Sequence, residues 1–211
     1  MKGFCGAILF KYNGGIMPDA PHNTQAQDSD RDRWNAKFLA GEAQLTEPDP
    51  LLVEACVGIP PGTALDLGGG AGRHAIWLAK NGWRVTLADV SDEGLALAEM
   101  KASTAGVTLT RRRETAAETV AWARRPGSPR FDLVCVFLFL VREEFPALPD
   151  LLAPDGLLVY KTYTAEHPRF QQGHSLRFAL DPGELSRAFP PLETVVSRET
   201  NGMAELIARA R

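Results

Sequence analysis

One segment constrains this chain more than any other: Ala64-Leu65-Asp66-Leu67-Gly68-Gly69-Gly70-Ala71-Gly72-Arg73, an apolar run that passes through a carboxylate into a glycine-rich turn and then opens a helix. Glycine is required where the backbone turns to positive φ, or where a ligand must come closer than a Cβ allows. Small-molecule cofactors bind at such junctions. A dinucleotide fingerprint begun at Gly68 demands Gly or Ala at position 73, where Arg73 stands. An NAD(P)-dependent oxidoreductase is therefore a minor alternative. The register that fits is acidic-x-Gly-x-Gly-x-Gly, filled by Asp66, Gly68, Gly70 and Gly72.

Helix and strand signals alternate around that turn. Residues 1–29 lack helical or alternating periodicity and read as a mobile tail, with order expected from Asp30, where Trp34 and Phe38 share a helical face. Leu51 to Ala55 reads as a helix stopped by Gly58-Ile59-Pro60-Pro61-Gly62, so residues 30–60 form an N-terminal helical segment and a possible lid. Strands are expected at Ala64–Leu67, Trp83–Val90, Val107–Thr110, Phe131–Leu138 and Leu157–Tyr163. Helices are expected at Arg73–Lys80, after Ser91, at Thr115–Arg124 and at Glu143–Leu152, the last followed by a Pro154-Asp155-Gly156 turn. Asn201-Gly202 joins two further strands as a hairpin. The prediction is a single α/β domain over 30–211: a Rossmann-like, doubly wound sheet of seven strands, mostly parallel, with a C-terminal antiparallel hairpin.

Composition narrows the partners. A formal net charge of -3 leaves no basic surplus for gripping a phosphate backbone, so nucleic acid is not an expected partner, and Arg111-Arg112-Arg113 reads as a solvated strand end. Cys5, Cys56 and Cys135 are odd in number and far apart, which implies neither a disulfide framework nor a zinc site. The apolar run near Met1 breaks at Lys11, and no stretch reaches the roughly 20 residues that span a bilayer. A cytoplasmic protein without a membrane partner is expected.

Three blocks, Trp34-Asn35-Ala36-Lys37-Phe38, Leu65-Asp66-Leu67-Gly68-Gly69-Gly70-Ala71-Gly72-Arg73-His74 and Gly82-Trp83-Arg84-Val85-Thr86, carry a family resemblance. The chain resembles class I S-adenosylmethionine (SAM) dependent methyltransferases, and among them small bacterial enzymes of the tellurite-resistance and thiopurine type. That resemblance implies SAM as cofactor, S-adenosylhomocysteine (SAH) as product and a small-molecule acceptor, with a thiol, chalcogen or other soft nucleophile favoured. A SAM-binding protein without transferase activity is the alternative.

Cofactor contacts are expected from the turn backbone at Gly68, Gly69, Gly70 and Gly72, and from Asp66 toward the ammonium group. Asp89, with Val90 beside it, ends the second strand where a ribose diol is gripped. Glu114 is the candidate for adenine and Phe137 the candidate to border the sulfonium. Two departures from the family pattern stand out: Gly69 where Cys is usual, and an apolar Leu138-Phe139-Leu140-Val141 mouth. The candidate catalytic pair is Arg177, to attract an anionic substrate, and His174, to handle a proton; Lys161, Tyr163, His167 and Arg169 lie in the same region. Arg73 and His74 border the expected pocket.

Overall fold

A computed structural model describes residues 24–42 and 45–211, with side chains from Ser29 onward. Its centre is a seven-stranded sheet in the order β3-β2-β1-β4-β5-β7-β6. The strands are β1 (Thr63–Leu67), β2 (Arg84–Asp89), β3 (Thr110–Arg113), β4 (Phe131–Phe137), β5 (Leu152–Tyr163), β6 (Glu193–Thr200) and β7 (Met203–Arg209). The first five pair in parallel, and β7 runs antiparallel to both β5 and β6. The β6-β7 connection is the expected Asn-Gly turn, with φ of 53° at Asn201 and 71° at Gly202.

Strand alternation distributes the core to two faces. From β1 and β4, Leu65, Leu67, Val134 and Val136 meet α5 (Ala116–Ala123) and α7 (Glu184–Arg187). Ala64, Leu133, Cys135 and Phe137 point the other way, toward α2 (Pro50–Ala55), α3 (Arg73–Lys80) and α4 (Asp92–Thr104). Each fully buried leucine contributes roughly 1.5–3 kcal/mol. The same alternation puts Asp66 on the α3 face among these apolar groups, at 1% exposure. α1 (Thr24–Leu39) lies against α4, and α6 (Pro168–Gln171) follows β5.

Several expectations shift. The helix α1 begins at Thr24, ahead of the expected Asp30; the tail before it, with the apolar run near Met1, lies outside the described residues. The third strand is Thr110–Arg113 because Gly106 and Val107 close α4: the Val107 amide donates to the Ala102 carbonyl at 3.0 Å, a helix-ending bond that takes Val107 out of the strand. The arginine triplet is thus an edge strand itself. Where Glu143–Leu152 was expected to be helical there are two 3-10 turns, Arg142–Glu144 and Leu148–Leu151, since Pro146 and Pro149 remove the amides a longer helix needs. Pro154-Asp155-Gly156 does not precede β5 but interrupts it as an irregularity, where the register jumps from Phe131↔Leu152 to Leu133↔Leu157.

Candidate cofactor and acceptor site

The carboxyl ends of β1 and β2 meet at the glycine turn. Gly68 and Gly69 amides both donate to the Ala88 carbonyl, at 2.8 and 3.3 Å, which ties the turn to the end of β2. Gly68 and Gly70 have φ of 72° and 54°. A Cβ on Gly68 would fall 2.5 Å from the Phe139 ring, and one on Gly70 would fall 2.9 Å from Phe38. Glycine is needed there for both reasons: backbone sign and close approach.

Asp89 is the hinge of this corner. Its Oδ2 accepts from the Gly70 amide and its Oδ1 from the Ser91 amide, each at 2.8 Å. Burial pushes its pKa up, while those two amides pull it back down. A carboxylate offers about four acceptor sites. The Val90 amide is a third backbone donor to Asp89, and the capacity that remains suits a neighbouring hydroxyl. Ser91 in turn caps α4: its Oγ accepts from Gly94 at 3.0 Å and donates to Asn35 Oδ1 at 2.7 Å. Asn35 also accepts from the Glu93 amide at 3.2 Å, so α1 is pinned to the start of α4 beside the turn.

Asp66 sits beneath the turn. Its Oδ2 accepts from the Ala75 amide in the first turn of α3 at 3.1 Å, and Cys135 Sγ lies 3.5 Å from its Oδ1. Burial lifts its pKa to about 7, and it lifts the Cys135 thiol well above the usual range. A neighbouring cation would favour the ionised carboxylate.

The end of β4 delivers an aromatic wall. Leu138 has φ of 55°, an uncommon left-handed conformation for a non-glycine residue, while its amide donates to the Lys161 carbonyl at 2.8 Å. Phe139 follows, and the buried Tyr160 hydroxyl donates to its carbonyl at 2.9 Å. The chain is thereby turned so that the Phe139 ring covers Gly68. Phe137 instead stacks on His74, with centroids 4.1 Å apart, inside the α3-side core. His74 is almost fully buried, its Nε2 has no partner among the described residues, and burial pushes its pKa down to about 3.

Over β5 the site is charged. Lys161, paired with Phe137 in register, bonds Asp49 at 3.1 Å and Glu205 at 2.8 Å. Asp49 also caps α2 by accepting from the Leu51 amide at 3.0 Å. Arg73 Nη1 donates to the Glu47 carbonyl at 3.2 Å.

Residues 64–156 match the family described as a methyltransferase domain. That segment runs from β1 into β5 and holds the whole glycine corner. A protein of Geobacillus sp. (strain WCH70), provisionally named a methyltransferase, is 36% identical over 115 residues, 49% of this chain and 44% of the relative. Among solved structures, TehB from Haemophilus influenzae superposes with a TM-score of 0.67 at 17% identity, covering 83% of this chain and 66% of TehB. The N-methyltransferase NodS from Bradyrhizobium japonicum WM9, in complex with SAH, superposes with a TM-score of 0.64 at 16% identity, covering 85% of this chain and 97% of NodS. This chain spans less than half the length of the Geobacillus relative and about two thirds of TehB.

SAM, the cofactor that the resemblance implies, suits the residues at the corner: a glycine turn at positive φ, the buried Asp66 and half-buried Asp89 carboxylates, and flanking aromatic rings. The structure brings Asp66, Gly68, Gly69, Gly70, Gly72, Asp89 and Val90 to this corner. Glu114 is nearby but engaged: both its oxygens bond the Arg112 guanidinium, which lies 3.7 Å from the Trp122 ring centroid. His174 and Arg177 sit on an exposed loop, where Arg177 is 63% exposed and reaches to 4.0 Å from Asp30 of α1. No contact links them to the glycine turn among the described residues. Leu138 and Phe139 belong to the expected apolar mouth, but nothing in the sequence marks a leucine for the left-handed backbone that turns the Phe139 ring over Gly68. Phe38, in the segment read as a lid, is buried with its ring against Gly70 and Gly94.

Proposed function

We propose that this chain transfers the methyl group of SAM to a small-molecule acceptor, with a thiol, chalcogen or other soft nucleophile favoured. The observation that carries the reading is the Asp89 carboxylate, held by the Gly70 and Ser91 amides at the mouth of the β1 turn, where it faces the glycine-rich corner. When bound, SAM supplies an electrophilic methyl group and leaves as SAH. The chain's own residues position and shield. The glycine turn and the start of α3 favour the methionine carboxylate, Asp66 the ammonium and Asp89 the ribose diol. Phe139 and Phe38 exclude water and offer aromatic faces to positive charge.

The apolar Leu138–Val141 run supports a nucleophile that needs little proton removal, since none of its side chains can act as a base. His174 and Arg177 belong to the acceptor side in this reading, at the rim, with Arg177 drawing in an anion and His174 handling a proton. No helix among the described residues is long and apolar enough to cross a membrane. Cysteines without a disulfide framework suit a cytoplasmic setting.

Calorimetric titration with SAH tests the reading. Micromolar binding is expected, and Asp89→Ala should weaken it about tenfold or more, as charged hydrogen bonds contribute roughly 1.5–3 kcal/mol each. Labelled SAM offered with thiols, selenite, tellurite and thiopurines then identifies turnover. Binding without transfer to any acceptor would favour the non-catalytic SAM-binding alternative, and tight NAD binding with no response to SAH would overturn the reading.

A further inference from the structure

Asp66 is a carboxyl sealed beneath the glycine turn, and the strand ladder explains how it is held. It pairs in register with Cys135 of β4 on one side and with Leu87 of β2 on the other, so the three side chains share the α3 face at one level. Leu87 and Cys135 are both fully buried. The leucine offers nothing polar, but the thiol offers a donor: Cys135 Sγ stands 3.5 Å from Asp66 Oδ1, within hydrogen-bond range for sulfur. The Ala75 amide holds the other oxygen, Oδ2, at 3.1 Å. Gly69 supplies the room. A Cβ there would fall 2.5 Å from Asp66 Cγ, which gives this glycine a steric reason distinct from the positive φ of Gly68 and Gly70.

A thiol beside a buried carboxyl serves it in both protonation states. With Asp66 ionised, the S–H donates to Oδ1; with Asp66 protonated, the carboxyl O–H can donate to Sγ, a weak acceptor. The thiol keeps its own proton throughout, because burial and the neighbouring carboxylate push its pKa well above the usual range. Other charges act from farther away and oppose one another: Asp89 on β2 disfavours the ionised carboxyl, and Arg73 at the start of α3 favours it. His74, next along α3, stays neutral against Phe137, and Cys56, at the end of α2, is kept protonated by burial. Among the described residues no cation bonds Asp66, so the thiol is its side-chain partner.

We propose that Cys135 is a positioning residue for the cofactor: its thiol fixes the Asp66 carboxylate beneath the turn and stabilises the negative charge that balances the cofactor's ammonium. This rests on the methyl-transfer reading for the cofactor, but not for the Cys135–Asp66 pair. On cofactor binding Asp66 releases its proton to solvent, while the S–H proton stays on sulfur.

The pair is tested first in the full-length, ligand-free protein. The Asp66 carboxyl, assigned with Asp66→Asn, is titrated by carbon NMR in wild type, Cys135→Ser, Cys135→Ala and Cys135→Val. Loss of the donor in Cys135→Ala and Cys135→Val should raise the midpoint by about half a pH unit or more, while the stronger hydroxyl donor of Cys135→Ser should hold it at or below the wild-type value. Cys135→Val keeps the core filled where Cys135→Ala leaves a cavity, so agreement between them separates the donor from packing. The S–H infrared stretch of Cys135, isolated by difference from Cys135→Val, should move to lower frequency as Asp66 ionises and share its midpoint. SAH titrations should follow the same order: one pH unit below the wild-type midpoint, affinity should fall about threefold in Cys135→Ala and Cys135→Val and not fall in Cys135→Ser. A single midpoint for all four proteins, or a Cys135→Ser midpoint raised as far as that of Cys135→Ala, overturns the proposal. Midpoints that move while SAH affinities do not overturn the cofactor role. Should SAH fail to bind wild type, the methyl-transfer reading falls by itself, and the ligand-free titration and infrared band still decide the Cys135–Asp66 pair.

Discussion

Over β1 and β2, the carboxyl edge of the sheet is made by groups close in sequence: Gly70 and Asp89, bonded to each other, are 19 positions apart, and Asp66 and Ala75 are 9 apart. Over β4 and β5 the same edge is assembled from distant pieces, with Lys161 bonded to Asp49 across 112 positions. The first region consists of backbone amides and carboxylates in fixed register. The second consists of side chains carried by β5, by β7 and by the segment before α2. One fold thus joins a corner in which chemistry and local geometry are the same thing to one in which only tertiary packing brings the groups together. A binding function set by local geometry can live in the first, and selectivity can live in the second.

The sharpest way to break that contrast is Gly70→Ala. A side chain there meets both a left-handed backbone and the Phe38 ring, so SAH affinity should fall about a hundredfold. Gly106→Ala serves as the control, since Gly106 is equally left-handed at 68° but has nothing within 4 Å; it should cost stability and leave SAH binding unchanged. Equal losses of SAH affinity in the two variants would mean that the turn does not form the cradle.

Next in size is the effect of pH on the same corner. Burial holds Asp66 at about 7, and a cofactor ammonium favours its ionised form. SAH affinity should therefore climb about tenfold per unit as pH rises toward about 7, level off above it, and be accompanied by proton release. Asp66→Asn should flatten the curve. In the free protein the sign reverses. Folded Asp66 keeps a proton that the unfolded chain loses above its ordinary value of 3.8, so its contribution to stability is fullest below that value and fades as pH rises to about 7. Identical thermal-melt profiles for wild type and Asp66→Asn across that window would count against a buried, protonated carboxyl.

The smallest effect belongs to the rim. Alanine at Arg177 or His174 should raise the KM for a proven acceptor a few-fold and leave SAH affinity alone, because exposed charges act mainly by screened, long-range attraction. A loss of SAH binding in either variant would erase the distinction between the two regions.

The same contrast explains what the sequence made legible. Six of the seven strands, the hairpin and the whole glycine corner were readable because each is set by nearby residues: Ser91 caps α4 as expected, and Thr115 with Glu118 forms a complete capping box on α5. The third strand was misplaced because Val107 serves equally well as a β residue and as the residue that closes α4, and only the helix end decides. Between β4 and β5, apolar periodicity suggested a helix and two prolines overruled it. Beyond β5, nothing local says that Arg169 would lie on the Tyr163 ring while Arg177 remains exposed.

The hydrogen-bonded series Asn35–Ser91–Asp89–Gly70 has a practical corollary. Any diol that docks on Asp89 shares its carboxylate with the Gly70 and Ser91 amides already resting there, so ligation alters the strength of those bonds. The Gly70 and Ser91 amide protons are consequently native reporters of ligation: their NMR shifts and deuterium uptake should respond to a nucleoside before any tryptophan signal does. Through Ser91 the same signal reaches the leading helix, which gives α1 a way to sense whether the corner beneath it is filled.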